Sequence, residues 1–530
     1  MASGTARARR RSARHTNEPI SVTTWIKHIS PAGWAAVGAC VLALGLALQT
    51  LQGPSAEYDE GVYWQSLRAM ANGHTLFGSI FSSQPPLFLL SVYPFYTLFG
   101  QDLSAARLAL IAFSLAGIAG TYIVGRALGH RNIGAMACIL LALDPLYQHG
   151  AHTLQAELPS VALQIWAVAC AVLAMRTTGR RQGWLAIGAG VLLGCALLIK
   201  LFAIAALVPV VLYLSAPLIR RWYSDNGKLR QPSLAEIQES LRQIAPTLGL
   251  LAAGLVGVAV LTLLPFVGQL GTLYDQVVRF HLVAAQTNGH TLNYNLDCLR
   301  KGLVDTRLIY LPIIALVIII WQRKWMGMPL IAWALAAFIT LVRQQPLLDH
   351  HVVLISPALA LISGYGAVVA WQTFQTSVER NWQRIGRAII AVLLVLACGS
   401  GMLLTLHWNA IANTPLPARS LAMAIALQSV SAPNEVVLSD DQYLAALANR
   451  DVPPQLVDTS AVRITSGYLT ASQLETFITH NRIHVILFAS GRFDLLPGFR
   501  EWVDARYTRV AEFDHGGALY LLEPNNNAPV

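Results

Sequence analysis

The apolar residues of this chain come in long runs, without the alternation of half-buried strands. Stretches such as VGACVLALGLAL (37–48), VALQIWAVACAVLAM (161–175) and LLAAGLVGVAVLTLLPFVG (250–268) carry no charge. A helix needs about 20 such residues to cross the hydrocarbon layer of a bilayer. The runs predict eleven spans, near 34–51, 104–127, 132–147, 154–175, 184–199, 201–218, 245–267, 308–321, 327–342, 352–372 and 388–407. The stretch PLFLLSVYPFYTLF (86–99) is shorter and carries Pro94, which predicts a membrane-surface or re-entrant helix. Polar segments at 52–103, 148–153, 268–306 and 343–350 then fall on one side as loops.

A different pattern begins near residue 409. NEVVLSDD, HVILFAS, TRVAEF and GALYLLEP read as strands, and QYLAALANR, TASQLETFITHNR and GFREWVDARY as helices. Thr470 and Gln473 have capping-box spacing. The fold class predicted is an α-helical polytopic membrane protein, about eleven transmembrane helices over 31–408, with a small extracytoplasmic α/β domain over 409–530. Asp440 and Asp441 follow the first strand, a place for ligands in α/β sheets and equally for a helix cap and a turn.

Composition agrees. The chain is 55% hydrophobic and 12% charged, with mean hydropathy +0.51, where a soluble chain carries about a quarter charged residues. The net charge of +10 is unevenly spread. Residues 409–530 hold twelve acids and eight bases, net −4, against +14 for the rest. The bases cluster in the tail 1–30, at Arg126 and Arg131, Arg176 with Arg180 and Arg181, Arg220 with Arg221, Lys228 and Arg230, Arg323 with Lys324, and Arg380 with Arg384 and Arg387. With eleven spans all of these lie on one side, which predicts a cytoplasmic N-terminus in a plasma membrane, ahead of an uncleaved signal anchor. The bias accounts for the charge through topology and anionic lipid, without nucleic acid. Of six cysteines only Cys298 falls in an outside loop, so no disulfide framework or metal spacing is predicted.

The chemistry is expected where polar groups meet the outer ends of spans. AEYDEGVYWQSLRAMANG (56–73) opens with Asp59 and Glu60 and continues as an amphipathic helix through Tyr63, Leu67 and Met70. Two acids at a helix start also complement its dipole. Lys200 lies between two apolar runs, where an ionisable group is costly and so marks function or snorkels to the interface. Arg343 could clamp a phosphate through its forked donors or anchor the interface. His350 and His351 could orient a substrate, assist proton transfer or cap the next span. His149, His152, Arg279 and His281 lie on the same side, where loop residues are commoner than ligands.

An acid pair, a short helix ending in Gly, then QPPLFLL with Gln84, Pro85 and Pro86, resembles the first extracytoplasmic loop of the GT-C superfamily of polytopic glycosyltransferases. The protein O-mannosyltransferase and aminoarabinose transferase branch is the nearest in pattern. HTLQAELPSVALQIWAV, GVLLGCALLIK and LLDHHVVLISPALALISGYG resemble later motifs of that branch in the same order, with Glu157 where Asp is usual. The resemblance implies sugar transfer from a polyprenyl-phosphate donor to a protein, lipid or glycan acceptor on the outer face. It implies Asp59, Glu60 and Glu157 as catalytic carboxylates, and Lys200, Arg343, His350, His351, Gln84 and Tyr63 as substrate-binding residues. Relatives that bind a metal carry an acid just before the Pro pair, and this chain has Ser83 and Gln84 there. A divalent cation is therefore left open and no cofactor is expected with certainty. The alternatives are a transporter, which would place its charges near the midplane and show symmetric halves, and a non-catalytic envelope assembly protein.

Overall fold

The computed structural model describes residues 30–54, 57–221, 231–308, 310–376 and 380–522. The basic tail to residue 29, with Lys228 and Arg230, lies outside them. Among the described residues eight helices are long and apolar enough to cross a membrane: Pro31–Leu48, Leu103–Ala127, Glu157–Met175, Gly179–Ile199, the helical run Leu234–Thr287, Trp325–Arg343, Asp349–Gln375 and Asn381–Ala412. Each covers one predicted run. The other three are shorter helices. The run 132–147 breaks at Asp144, which accepts the Leu146 N–H at 2.9 Å and starts a second helix, Pro145–His152. Its first half, Arg131–Ala142, has 12 residues, roughly 18 Å of helix. Leu201–Leu214 and Tyr310–Trp321 are likewise short; the latter joins Leu292–Asp305 at a 91° bend. The stretch predicted as a loop at 268–306 is instead largely helical, because Leu234–Thr287 continues through one 3-10 and one π turn.

The helices pack closely where the sequence is glycine-rich. A Cβ at Gly190 would collide with the Leu251 carbonyl, and one at Gly254 with the Ile187 carbonyl, so Gly179–Ile199 and Leu234–Leu263 meet backbone to backbone. Helices Tyr58–Ala71 and Leu87–Phe99 form the first loop, the second as the apolar pattern predicts.

The tail folds as expected. Strands β1 (Leu438–Ser439), β2 (Val485–Phe488), β3 (Thr508–Phe513) and β4 (Gly517–Leu521) form one sheet in the order β1-β2-β4-β3, with only β1 and β2 parallel. The capping box of Thr470 and Gln473 is present. Asp440 is fully buried and its carboxylate accepts four backbone N–H groups, from Ala489, Ser490, Arg492 and Phe493. Asp441 caps the helix Gln442–Leu447. Both acids hold the domain's own loops.

The domain does not simply stand on the membrane body. One apolar cluster runs from Val62, Leu67 and Phe88 of the first loop into Val437, Leu487 and Leu519 of the tail. Helix Tyr58–Ala71 lies so close to Gln442–Leu447 that a Cβ at Gly61 would strike the Tyr443 backbone. Burying this shared face is what fixes the helix that carries Asp59.

Candidate active site

A cavity open to solvent lies where the ends of the apolar helices meet the tail domain. The first loop contributes Asp59, Val62, Tyr63, Ser83 and Gln84; the chain after Gly179–Ile199 contributes Lys200 and Phe202; the long helical run contributes Phe280, His281 and Ala284. The segment 344–351 adds Gln344, Gln345, Pro346, Leu348, His350 and His351, and the tail adds Asp458, Ser460 and Val462.

Asp59 and Tyr63 are four residues apart on one helical face and so point into the same space. Among the described residues Asp59 has no hydrogen-bond or ion-pair partner. Burial raises its carboxyl above the ordinary value; His350 and Lys200 pull it back, and Glu157 and Asp458 add to the rise. Tyr63 packs edge-on against Phe88 at 4.8 Å and lines the cavity together with Gln84.

Glu157 opens the helix Glu157–Met175 and is buried. Its Oε1 lies 2.8 Å from Lys200 Nζ, 3.5 Å from His351 Nε2 and 3.8 Å from His350 Nε2. Lys200 follows the last turn of Gly179–Ile199 in extended conformation, and its ammonium also lies 5.3 Å from the Phe202 ring centre. The sequence-predicted Lys200, Glu157, His350 and His351 thus form one cluster, drawn from three chain segments.

Three of these groups, Glu157, His350 and His351, offer ligand atoms within 4.8 Å of one another. As arranged they do not suit a metal ion. The Leu348 N–H donates to His351 Nδ1 at 3.2 Å, which leaves the proton of a neutral ring on Nε2, the atom a metal would need. The Glu157 oxygen facing it lies 2.8 Å from the Lys200 ammonium, whose charge opposes a cation there.

The structure separates the other predicted residues from this cavity. Glu60 is 1% exposed and faces away: Arg107 Nε and Nη2 donate to its two oxygens at 2.9 and 2.6 Å, and the Leu154 N–H adds a third bond at 2.7 Å. Arg343 ends its helix exposed, outside the cavity lining. The Gln344 and Gln345 that follow it are the lining residues. His149 stands 3.9 Å from Glu57, beside His152, in Pro145–His152, and Arg279 pairs with Asp275 at 3.1 Å. His281 does reach the cavity. Cys298 is a free thiol donating to Asp349 at 3.1 Å.

Sequence reasoning missed Asp458 and Ser460. The run VDTSAVRIT reads as a cap before a short helix, and Ser460 does cap it, accepting the Arg463 N–H at 3.2 Å. Nothing local marks the carboxylate beside it as facing another domain.

Known proteins give this architecture a class. Residues 83–230 match the family model of dolichyl-phosphate-mannose-protein mannosyltransferases. The fold is similar to that of ArnT from Cupriavidus metallidurans bound to undecaprenyl phosphate, with TM-score 0.64, 14% identity, and coverage of 94% of this chain and 100% of that one. It is also similar to the oligosaccharyltransferase of Archaeoglobus fulgidus in the apo form, with TM-score 0.55, 12% identity, and coverage of 95% and 76%. No curated protein matches the sequence. The chain has the fold of the GT-C superfamily of polytopic membrane glycosyltransferases. The stretch 83–230 that matches the mannosyltransferase model includes Ser83, Gln84 and Lys200 of the cavity.

Proposed function

We propose that this protein transfers a sugar from a polyprenyl-phosphate carrier to a protein, lipid or glycan acceptor at the outer face of the plasma membrane, with its tail domain outside. The observation that carries this reading is the meeting, in one cavity at the ends of apolar helices, of a carboxylate without a partner among the described residues and a fixed ammonium. A lipid carrier needs an apolar approach, a cation at the surface for its phosphate, and a base for the acceptor. The ArnT structure of similar fold holds undecaprenyl phosphate, which supports the carrier class.

In the step, the acceptor's nucleophilic atom attacks the anomeric carbon and loses its proton to Asp59. The bond from that carbon to the carrier's phosphate oxygen breaks, and the carrier leaves with the electron pair. Lys200, held by Glu157, offsets the charge gained by the phosphate. His350, His351, Gln84 and Tyr63 line the cavity and position the sugar. A positioned base contributes about 10²–10⁴-fold. The test is in vitro transfer from polyprenyl-phosphate sugars by the full chain and by Asp59→Asn at equal folding. A loss of about 10² or more with donor binding retained is expected. Unchanged transfer removes Asp59 as the base, and no transfer by wild type from any carrier-linked sugar removes the whole reading.

A further inference from the structure

The tail domain is more than a cover over this site, because it puts its own carboxylate into the cavity. Asp458 is buried, and one oxygen, Oδ1, accepts the Ser460 N–H at 2.8 Å. Among the described residues it has no ion-pair partner; the nearby Arg463 feels its charge, but the hydrogen bonds of that guanidinium go to backbone carbonyls. Arg463 donates to the Asp458 backbone carbonyl at 2.5 Å and to the Gln455 carbonyl at 2.9 Å, and stacks 3.7 Å over the Phe81 ring. The second carboxylate oxygen is left to serve the cavity.

The position of Asp458 is tied directly to that of Asp59. Tyr58, next to Asp59, accepts the Thr459 N–H at 2.8 Å on its hydroxyl oxygen and lies 3.2 Å from the Thr459 hydroxyl. Thr459 is the neighbour of Asp458. The Arg492 guanidinium stacks on the Tyr58 ring at 3.7 Å, and Gln442 donates to the Thr459 hydroxyl at 2.9 Å. Two acids from two domains are thus held through adjacent residues by one clamp.

We infer that Asp458 is a substrate-contacting residue, its carboxylate accepting hydrogen bonds from hydroxyl groups of the sugar being transferred. The inference rests on the proposed transfer reaction. If the carrier phosphate sits at Lys200 and the acceptor's proton goes to Asp59, the reacting carbon lies within reach of both. The ring that contains that carbon then lies against the walls of this cavity. A carboxylate with one oxygen fixed by a backbone N–H and the other open is suited to accept from hydroxyls, and such bonds are stronger than neutral ones.

The test measures binding of undecaprenyl phosphate, and of undecaprenyl-phosphate mannose, glucose and arabinose, to the full chain in nanodiscs. Wild type, Asp458→Asn, Asp458→Glu and Lys200→Gln are compared. In Asp458→Asn, the preference for a sugar-bearing over the bare carrier should fall about tenfold, with bare-carrier binding within about twofold of wild type. Lys200→Gln should weaken both classes together. An unchanged preference for every sugar in both Asp458 variants overturns the inference, as does equal loss of both classes, which would make Asp458 a purely structural group. If wild type binds the bare carrier and no sugar-bearing form better, this inference fails while the carrier reading stands. If wild type binds neither, the carrier reading fails first.

Discussion

Asp59 and Glu60 are neighbours in sequence and opposites in structure. Consecutive side chains on a helix point about 100° apart, and here that angle separates two regions. On one side Glu60 meets Arg107 and the Leu154 N–H and leaves neither carboxylate oxygen free. On the other Asp59 faces the cavity with no partner among the described residues. Hydrogen bonding, not position in the chain, divides the two acids. The fully bonded acid ties the first loop to the helix Leu103–Ala127, and the unbonded one faces the cavity, where the proposed transfer would use it as a base.

The largest effect should come from breaking the bonded side. Arg107 is 4% exposed and also donates to the Gly53 carbonyl at 2.7 Å. Arg107→Ala strands a buried carboxylate and should destabilise the protein by about 3–5 kcal/mol. The measurement is thermal unfolding of the purified membrane protein. Replacing both charges, Glu60→Gln with Arg107→Met, should cost less than the two single changes summed, because no unpaired charge remains. Should Arg107→Ala melt like wild type, the pair is not the strut described here.

Next in size is the pH dependence of the unbonded side. A base works only when deprotonated, and burial holds the Asp59 carboxyl above its ordinary value. The acid limb of kcat/KM should therefore lie above the usual carboxylate range of about 4. Asp458→Asn removes one of the charges that raise it, so the limb should move to lower pH. The sign for stability runs oppositely to that of activity. A raised carboxyl binds its proton more tightly folded than unfolded, so its contribution is present below the ordinary pKa and lost as pH rises through the raised one. A limb at or below pH 4, with the activity resistant to Asp59→Asn, would leave another group as base.

The sequence shows some of this division and hides the rest for identifiable reasons. The acids themselves, Lys200 between apolar runs and Glu157 before a proline are all visible as polar residues where apolar ones are expected. Which acid of the pair is bonded cannot be read, because Arg107 lies 47 positions away inside an apolar run. Asp458 is hidden by its surroundings, since Asp-Thr-Ser before a helix has a sufficient local explanation. The strands and caps of the tail are legible because short apolar runs bounded by turn residues, and capping, are local signals. The break at Asp144 was not, as an apolar period continues through Leu143 and resumes after Pro145. Arg343, a forked cation at a helix end, is exposed outside the cavity lining, and the neutral Gln344 and Gln345 that follow it are the residues that line it.

The smallest effect concerns the clamp that joins the two regions to the tail. Tyr58→Phe keeps a ring for Arg492 to stack on and removes only the hydroxyl that bonds Thr459. Its cost in stability should be about 1 kcal/mol. Asp451→Asn, at the rim, weakens a pair in which Arg68 lies 2.6 Å away with side chains 17% and 35% exposed, and should cost less than about 1 kcal/mol. The two differ in what they leave beside the cavity. Loss of the Thr459 bond loosens the segment carrying Asp458 next to Asp59, so transfer should fall further in Tyr58→Phe than its small loss of stability explains. In Asp451→Asn, transfer should stay within about twofold of wild type. Equal transfer by the two variants would mean that the tail's hold on the cavity is spread over the whole interface, with no special part played by the Tyr58 hydroxyl.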